Sequence, residues 1–156
     1  MIIFEAMGIE NDIQQVKFKS NKHKAMVNIL YTYGWIMERI KNFVAEEDIT
    51  HQQYNILRIL RGSHPAPLST LQIRERMLDK MSDTSRIVDR LVIKGLVQKL
   101  VCSSDKRLVD ITITEKGQKL LQRLDEKEGR MEEIMQSLSD KDAESLSDLL
   151  DRLRQG

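Results

Sequence analysis

Serine and arginine side chains recur at helical spacing between residues 82 and 90. With about 100° of rotation per residue, they fall on one side of a helix, opposite an apolar stripe. A serine hydroxyl near a helix N-terminus can hydrogen-bond phosphate or a base edge, and an arginine fork can bind phosphate or the paired acceptors of guanine. A solvated helix face with internal salt bridges is the alternative interpretation. The outward-facing residues are Ser82, Ser85, Arg86, Asp89, Arg90 and Ile93.

Asp89 is expected to steady an arginine rather than to contact DNA.

A second polar cluster follows the helix. It lies between two segments rich in Val, Ile and Thr, which are Leu96–Val101 and Leu108–Thr114. The cluster reads Ser103-Ser104-Asp105-Lys106-Arg107. Alternating β-branched residues around a short polar loop predict a β-hairpin with a basic tip.

Metal-binding and catalytic patterns are not found in the sequence. His23, His51 and His64 fall in three different predicted elements without the i,i+4 pairing of a helical metal site. Cys102 stands at the start of the hairpin loop and is expected to be an ordinary strand residue. There is no HExxH, CxxC, nucleophile elbow or glycine-rich phosphate loop. We therefore predict no catalytic residue, no metal site and no cofactor.

The charge of the 156-residue chain is unevenly distributed although its net value is only +1. Residues 51–122 carry 13 basic and 7 acidic side chains, whereas residues 123–156 carry 6 and 10. The middle of the chain is therefore the part expected to meet an anion, although chance clustering on solvated faces would look the same. A single cysteine, no long apolar run and no signal-peptide pattern predict a cytoplasmic protein that does not enter membranes.

Short helices are predicted on both sides of a proline-containing turn. Thr50 and Ser69 each precede a Gln by three residues, which is the capping-box pattern of a helix N-terminus. The first helix is expected to stop at Gly62 and the second near Leu78. Ser82 is expected to cap a third helix that runs to Lys94. Three short helices followed by a two-stranded hairpin make a winged helix-turn-helix, a mostly α fold with a small β wing.

Longer amphipathic helices flank this region. Residues 22–44 place Met26, Leu30, Tyr33 and other apolar side chains on one stripe, and a helix from Thr114 toward Leu138 and another from Ser139 do the same. The first helix also carries Tyr31 and Trp35 on its otherwise polar side. Packing against a partner subunit and the wall of a small-molecule effector pocket are both open explanations for these two aromatic residues.

At the level of motifs, the sequence resembles the MarR family of bacterial transcription regulators over about residues 22–154. The run Ser85-Arg86-Ile87-Val88-Asp89-Arg90-Leu91-Val92-Ile93-Lys94-Gly95-Leu96-Val97 is similar to the recognition helix of that family and its exit into the wing. Asp105 and Arg107, followed by a strand that ends in Thr114-Glu115-Lys116-Gly117, are similar to the family's wing motif.

The resemblance implies a homodimer whose terminal helices interleave, with two winged-helix lobes on successive major grooves. It implies an arm at residues 1–21, a dimerisation helix at 22–49, a DNA-binding region at 50–115 and dimerisation helices at 116–156. It also implies that Asp105 orients Arg107, and it often implies a small-molecule or redox input between the lobes and the dimer helices. The implied DNA contacts are Ser82, Thr84, Ser85, Arg86, Arg90, Asp105, Lys106 and Arg107.

We therefore expect a homodimeric repressor that binds an inverted repeat in double-stranded DNA and is not an enzyme. The alternative is a winged-helix module that uses its basic hairpin to bind protein or RNA within an assembly.

Overall fold

The computed structural model describes residues 8–101, 105 and 109–156. The chain divides into two compact units, one ending at Arg39 and one beginning at Ile40, and the division falls inside a long helix. None of the helices in these described ranges is both long and apolar enough to cross a membrane.

The first unit contains a short helix α1 (Ile9–Asp12) and most of α2 (Asn21–Ala45), which has 25 residues. The predicted N-terminal arm is therefore partly helical within its described residues. Ile9 is buried, and the Lys24 ammonium pairs with the Glu10 carboxylate. This hydrogen bond lowers the pKa of Glu10. An arm with no apolar period still gains local structure from one buried side chain and one ion pair.

Helix α2 begins and ends within one residue of the predicted range. Most of its apolar stripe is exposed to solvent in a single chain. Met26, Leu30 and Tyr33 are all more than half exposed, and Tyr31 and Trp35 on the other side are also exposed. Burial begins only near the C-terminal end of the helix, at Phe43 and Val44. The stripe is therefore available to a partner.

The second unit is the predicted winged helix-turn-helix followed by C-terminal helices. In chain order the elements are α3 (His51–Ser63), β1 (Leu68–Ser69), α4 (Thr70–Arg76), α5 (Thr84–Ile93), β2 (Val97–Val101), β3 (Val109–Ile113), α6 (Glu115–Asp125), α7 (Gly129–Glu132), a 3-10 turn (Glu133–Met135) and α8 (Asp140–Gln155). The sheet is antiparallel with strand order β1-β3-β2. It has three strands rather than the predicted two, because Leu68 and Ser69 pair with Ile111 and Asp110.

Helix caps read from the sequence account for most of the boundaries. Thr50, Ser69 and Ser139 each accept a hydrogen bond from the backbone N–H three residues on, and in all three the capping box is complete. Thr114 caps α6 in the same way, accepting from the Gly117 N–H at 3.1 Å. The caps predicted at Thr50 and Ser69 are confirmed, and the helices expected from Thr114 and Ser139 begin directly after these residues.

Two predicted helix ends are wrong. Helix α3 continues past Gly62 and ends at Ser63, because His64 precedes a proline and is driven to an extended conformation. The helix that starts at Glu115 does not run on to Leu138 with a bend at Gly129. It ends at Asp125, and the chain then forms α7 and a 3-10 turn.

The core of the second unit lies between α3, α4, α5, α6 and the sheet. Apolar side chains on the inner sides of these helices are buried, including Leu57 on α3, Ile73 on α4 and Leu121 on α6. On α5 the buried stripe is Thr84, Val88 and Leu91, with Ile87 partly buried. The opposite side of α5 is left outside the core.

Gly117, in the first turn of α6, allows this helix to pack tightly on the exit of α5. A Cβ at this position would collide with the carbonyl oxygen of Leu96 and lie 2.8 Å from Cγ1 of Ile113. Thr114 donates its hydroxyl to the Gly95 carbonyl at 2.7 Å, and its N–H donates to the Leu96 carbonyl. The Thr-x-x-Gly sequence therefore joins α6 to the start of β2.

Gly117→Ala should destabilise the protein by about 1–3 kcal/mol, because the added methyl group meets backbone that is already hydrogen-bonded. Urea unfolding of the two proteins measures the difference. Gly62→Ala is the matched control, since its Cβ would meet nothing within 4 Å and alanine is the better helix former. Equal stability of wild type and Gly117→Ala would contradict the close packing.

Candidate nucleic-acid interface

Helix α5 is fixed at its N-terminus by the turn that precedes it. Asp83 is the N-cap and accepts a hydrogen bond from the Arg86 N–H at 3.2 Å. The prediction of Ser82 as the cap is therefore wrong by one residue. Both residue types are good caps, and the conformation of the turn places Asp83 at the helix start.

The turn itself is held from two sides. Asp79 accepts a hydrogen bond from the Met81 N–H at 3.0 Å, and this bond contributes most to lowering the pKa of Asp79. The Leu78 N–H donates to the side-chain oxygen of Asn55 on α3 at 2.9 Å. Asn55 is a positioning residue that the sequence analysis missed, since a single asparagine within a helix carries no local signal for a contact 23 residues away.

The outer face of α5 presents Ser85, Arg86 and Arg90 to solvent. Among the described residues, no carboxylate oxygen lies within 4 Å of either guanidinium group. Two of the predicted contacts are placed differently. Thr84 is only 4% exposed and faces the core, and the Ser82 hydroxyl oxygen is buried. Thr84 lies on the inner stripe of the helix, and the DNA contacts predicted for Ser82 and Thr84 stay predictions.

Asp89 connects the outer face of α5 to the wing. Its carboxylate pairs with the ammonium group of Lys99 on β2. The prediction that Asp89 steadies an arginine is therefore wrong, because the cation that it pairs with is a lysine on the adjoining strand. The pair fixes β2 beside α5 and leaves Arg86 and Arg90 outside it.

The C-terminal end of α5 is also held in place by contacts with other elements. Gly95 adopts the left-handed conformation, with φ of 71°, which ends the helix as predicted. Lys94 pairs with the Asp48 carboxylate at 3.2 Å, and Lys116 donates to the Lys94 carbonyl at 2.8 Å. The wing strands then run in register from Val97 opposite Ile113 to Val101 opposite Val109.

The tip of the wing is described only at Asp105, which is half-buried. Cys102, Lys106 and Arg107 lie outside the described residues. The predicted DNA contacts of Lys106 and Arg107, the orienting role of Asp105 and the strand position of Cys102 therefore stay predictions.

Residues 49–109, which include α3, α4, α5 and the first wing strand, match the family model described as MarR family. They are a MarR-family domain. The resemblance inferred from the recognition-helix and wing motifs is thereby confirmed.

Known proteins resemble this chain in sequence or in fold. A transcriptional regulator of the helix-turn-helix type from Bacillus subtilis, YpoP, is 29% identical over 86 residues, which is 55% of this chain and 60% of that protein. The chain thus matches less than two thirds of this relative's length. A MarR transcription factor from Planctomyces limnophilus is 29% identical, with a TM-score of 0.66, covering 90% of this chain and 100% of the other.

A MarR mutant from E. coli, solved in complex with operator DNA, is 22% identical and has a TM-score of 0.71 over 80% of this chain and 89% of its own. At this identity the likeness shows the fold alone. YpoP and the Planctomyces limnophilus protein are described as transcription regulators, in agreement with the prediction that the chain is not an enzyme.

Outside the MarR domain, α2 carries the other predicted site. The Arg39 guanidinium carbon lies 3.5 Å from the centre of the Trp35 ring, and Nη1 of Arg39 donates to the Trp35 carbonyl at 3.1 Å. Trp35 and Tyr31 are both exposed within the single chain. The structure therefore stacks a guanidinium group on the indole and leaves both aromatic residues exposed in the single chain.

His23 is held by local contacts within the first unit. Nδ1 of His23 accepts a hydrogen bond from the Lys19 N–H at 3.3 Å, and its ring contacts Phe18 edge to face. Partial burial lowers the pKa of His51. Within the part of the chain that the structure describes, no group of three or more His, Cys, Asp or Glu side chains is arranged to hold a metal ion.

Proposed function

We propose that this chain is a homodimeric repressor that binds an inverted repeat in double-stranded DNA. The outer face of α5 carries the proposal. Two guanidinium groups stand one helical turn apart on a helix whose ends are both fixed, and described carboxylates do not neutralise them. The fixed helix sets the backbone positions from which both arginine side chains extend, and exposed guanidinium groups at this spacing are suited to phosphate or guanine.

The charge of the region around α5 is suited to a polyanion such as nucleic acid. Residues 51–122 hold the basic surplus of the chain, while residues 123–156 are acidic. Phosphate groups would meet the excess positive charge, and each neutralised phosphate would release counterions and favour binding. In the E. coli structure with the same fold, the bound molecule is operator DNA.

The homodimer is supported by apolar surface that one chain does not cover. On α8, Leu149 and Leu153 are more than half exposed, and the stripe of α2 is open as well. Contiguous apolar stripes of this kind usually mark interfaces, and closed two-fold symmetry is the commonest arrangement of identical chains. A two-fold dimer would place two copies of α5 on half-sites about 10 base pairs apart, which requires an inverted repeat.

Fluorescence anisotropy with the full chain tests the proposal. The probe is labelled duplex DNA from the region immediately upstream of the coding sequence, compared with RNA of the same sequence. We expect preferential binding to the duplex and a strong decrease in affinity between 50 and 200 mM salt. Equal or tighter binding to RNA would instead favour the assembly-module alternative and overturn the proposal.

We also propose that Tyr31 and Trp35 are covered in the functional protein, either by the partner subunit or by a small effector. Trp35 is the only tryptophan, so its fluorescence reports on this place alone. The stacked Arg39 favours the effector as a second candidate, because an aromatic face beside a cation suits an aromatic acid.

The emission of Trp35 in the intact protein should be blue-shifted, because both the partner subunit and a bound effector would exclude water from the indole. Partner packing alone predicts that benzoate leaves the emission unchanged. An effector site predicts that benzoate quenches it and weakens DNA binding. A water-exposed spectrum that iodide quenches freely would contradict both covers.

A further inference from the structure

Ile93 is an apolar side chain on the face of α5 that we assign to DNA. It is 85% exposed, although it lies in the last turn of a helix whose inner stripe is fully buried. Seven residues separate it from Arg86, and at 3.6 residues per turn this is within about 20° of the same direction. Arg86, Arg90 and Ile93 therefore form one ridge along the helix.

The ends of this ridge are fixed by contacts that do not involve its side chains. Asp83 caps the start, and Asp89 is drawn to Lys99 at one flank. Lys94, the next residue after Ile93, is held by Asp48. Ile93 is consequently kept outward beside the two arginines and does not fold back on the core.

The distance along the ridge matches the spacing of base pairs. The rise of an α-helix places Ile93 about 10.5 Å beyond Arg86 along the axis. With about 3.4 Å per base pair, this corresponds to about three base pairs along a helix lying in the major groove. The one apolar group that base pairs present in the major groove is the 5-methyl of thymine.

We propose that Ile93 is a specificity-determining residue that contacts the 5-methyl group of a thymine in each half-site, about three base pairs from the position read by Arg86. This inference rests on the proposed DNA-binding function. Its chemistry is burial of one methyl group against an isoleucine, so loss of the methyl group should cost about fourfold in affinity, the equivalent of about 0.8 kcal/mol.

The experiment pairs a change in the protein with a change in the DNA. The full wild-type chain selects a consensus duplex from a randomised pool. Each thymine of that duplex is then replaced singly by deoxyuridine, which removes only the methyl group. Binding is measured for wild type, Ile93→Ala and Ile93→Val. Val16→Ala serves as the control for truncating an exposed aliphatic side chain outside α5.

At one thymine in each half-site, removal of the methyl group should lower the DNA affinity of wild type and of Val16→Ala about fourfold. Ile93→Ala should bind the two duplexes equally, and Ile93→Val should retain most of the discrimination. If methyl removal has the same effect on wild type and Ile93→Ala at every position, the inference is overturned. In that case, weaker binding of Arg86→Ala and Arg90→Ala to the same duplex would show that the proposed DNA-binding function stands without the Ile93 contact. Failure of wild type to select any duplex would overturn both.

Discussion

Removal of residues 139–156 should leave a chain that is monomeric or aggregated and that binds DNA about 10²- to 10⁴-fold more weakly than the full protein. Helix α8 exposes Leu146, Leu149 and Leu153 along one side. If these leucines pack against a second copy, their loss separates the two lobes. Binding of the second half-site then no longer benefits from the high effective concentration of a linked partner. Analytical ultracentrifugation and anisotropy measure the two effects.

A milder variant separates dimer loss from general unfolding. Leu149→Asp with Leu153→Asp retains α8 but places charge on its apolar side, whereas Asp148→Ala changes a neighbouring exposed residue. The leucine variant should behave like the truncation, and Asp148→Ala should behave like wild type. A well-behaved truncated protein with unchanged oligomeric state and DNA affinity would contradict the role of α8.

Arg86→Ala and Arg90→Ala should each weaken DNA binding by about 1–3 kcal/mol, which is roughly 5- to 150-fold. Each substitution removes a guanidinium group that is exposed on α5 and has no described carboxylate partner. Where the lost contact is to a base, sequence preference should relax. Where it is to a phosphate, the salt dependence should become shallower by about one unit.

Arg152→Ala is the control, because it removes the same charge from α8 rather than from α5. Isotherms at several salt concentrations distinguish a lost specific contact from a change in net charge. If both α5 variants bind as wild type does, α5 does not enter the groove. Circular dichroism of the two variants should match wild type, because neither side chain contributes to the core.

Local sequence signals were sufficient for most helix starts. Thr50, Ser69, Thr114 and Ser139 cap their helices through residues only three positions away, so the interaction is contained in the pattern. The choice between Ser82 and Asp83 is different. It depends on a turn held from α3 by Asn55, which is distant in sequence.

Contacts between distant segments explain the remaining differences. Strand β1 has two residues and no period of its own, and it exists because Leu68 pairs with Ile111. The partner of Asp89 is Lys99, which only the folded position of β2 brings within reach. The apolar stripe of α2 was readable from spacing, but a single chain does not bury it, so what covers it is a property of the assembly.

Helix α5 shows what helical periodicity can predict about the direction of side chains. Helical periodicity correctly separated the buried Val88 and Leu91 from the exposed Arg86 and Arg90. The spacing of Thr84 places it on the same stripe as Val88, and the structure buries it, whereas the family resemblance implied a DNA contact that stays a prediction. The direction of a side chain on a regular helix is thus set by its spacing along the chain.

Selection of a randomised duplex pool by the full-length protein, followed by sequencing, tests the central claim most directly. Two copies of α5 in a two-fold homodimer predict enrichment of an inverted repeat with half-site centres about 10 base pairs apart. Enrichment of a single unrepeated motif, or of no sequence at all, would contradict the account.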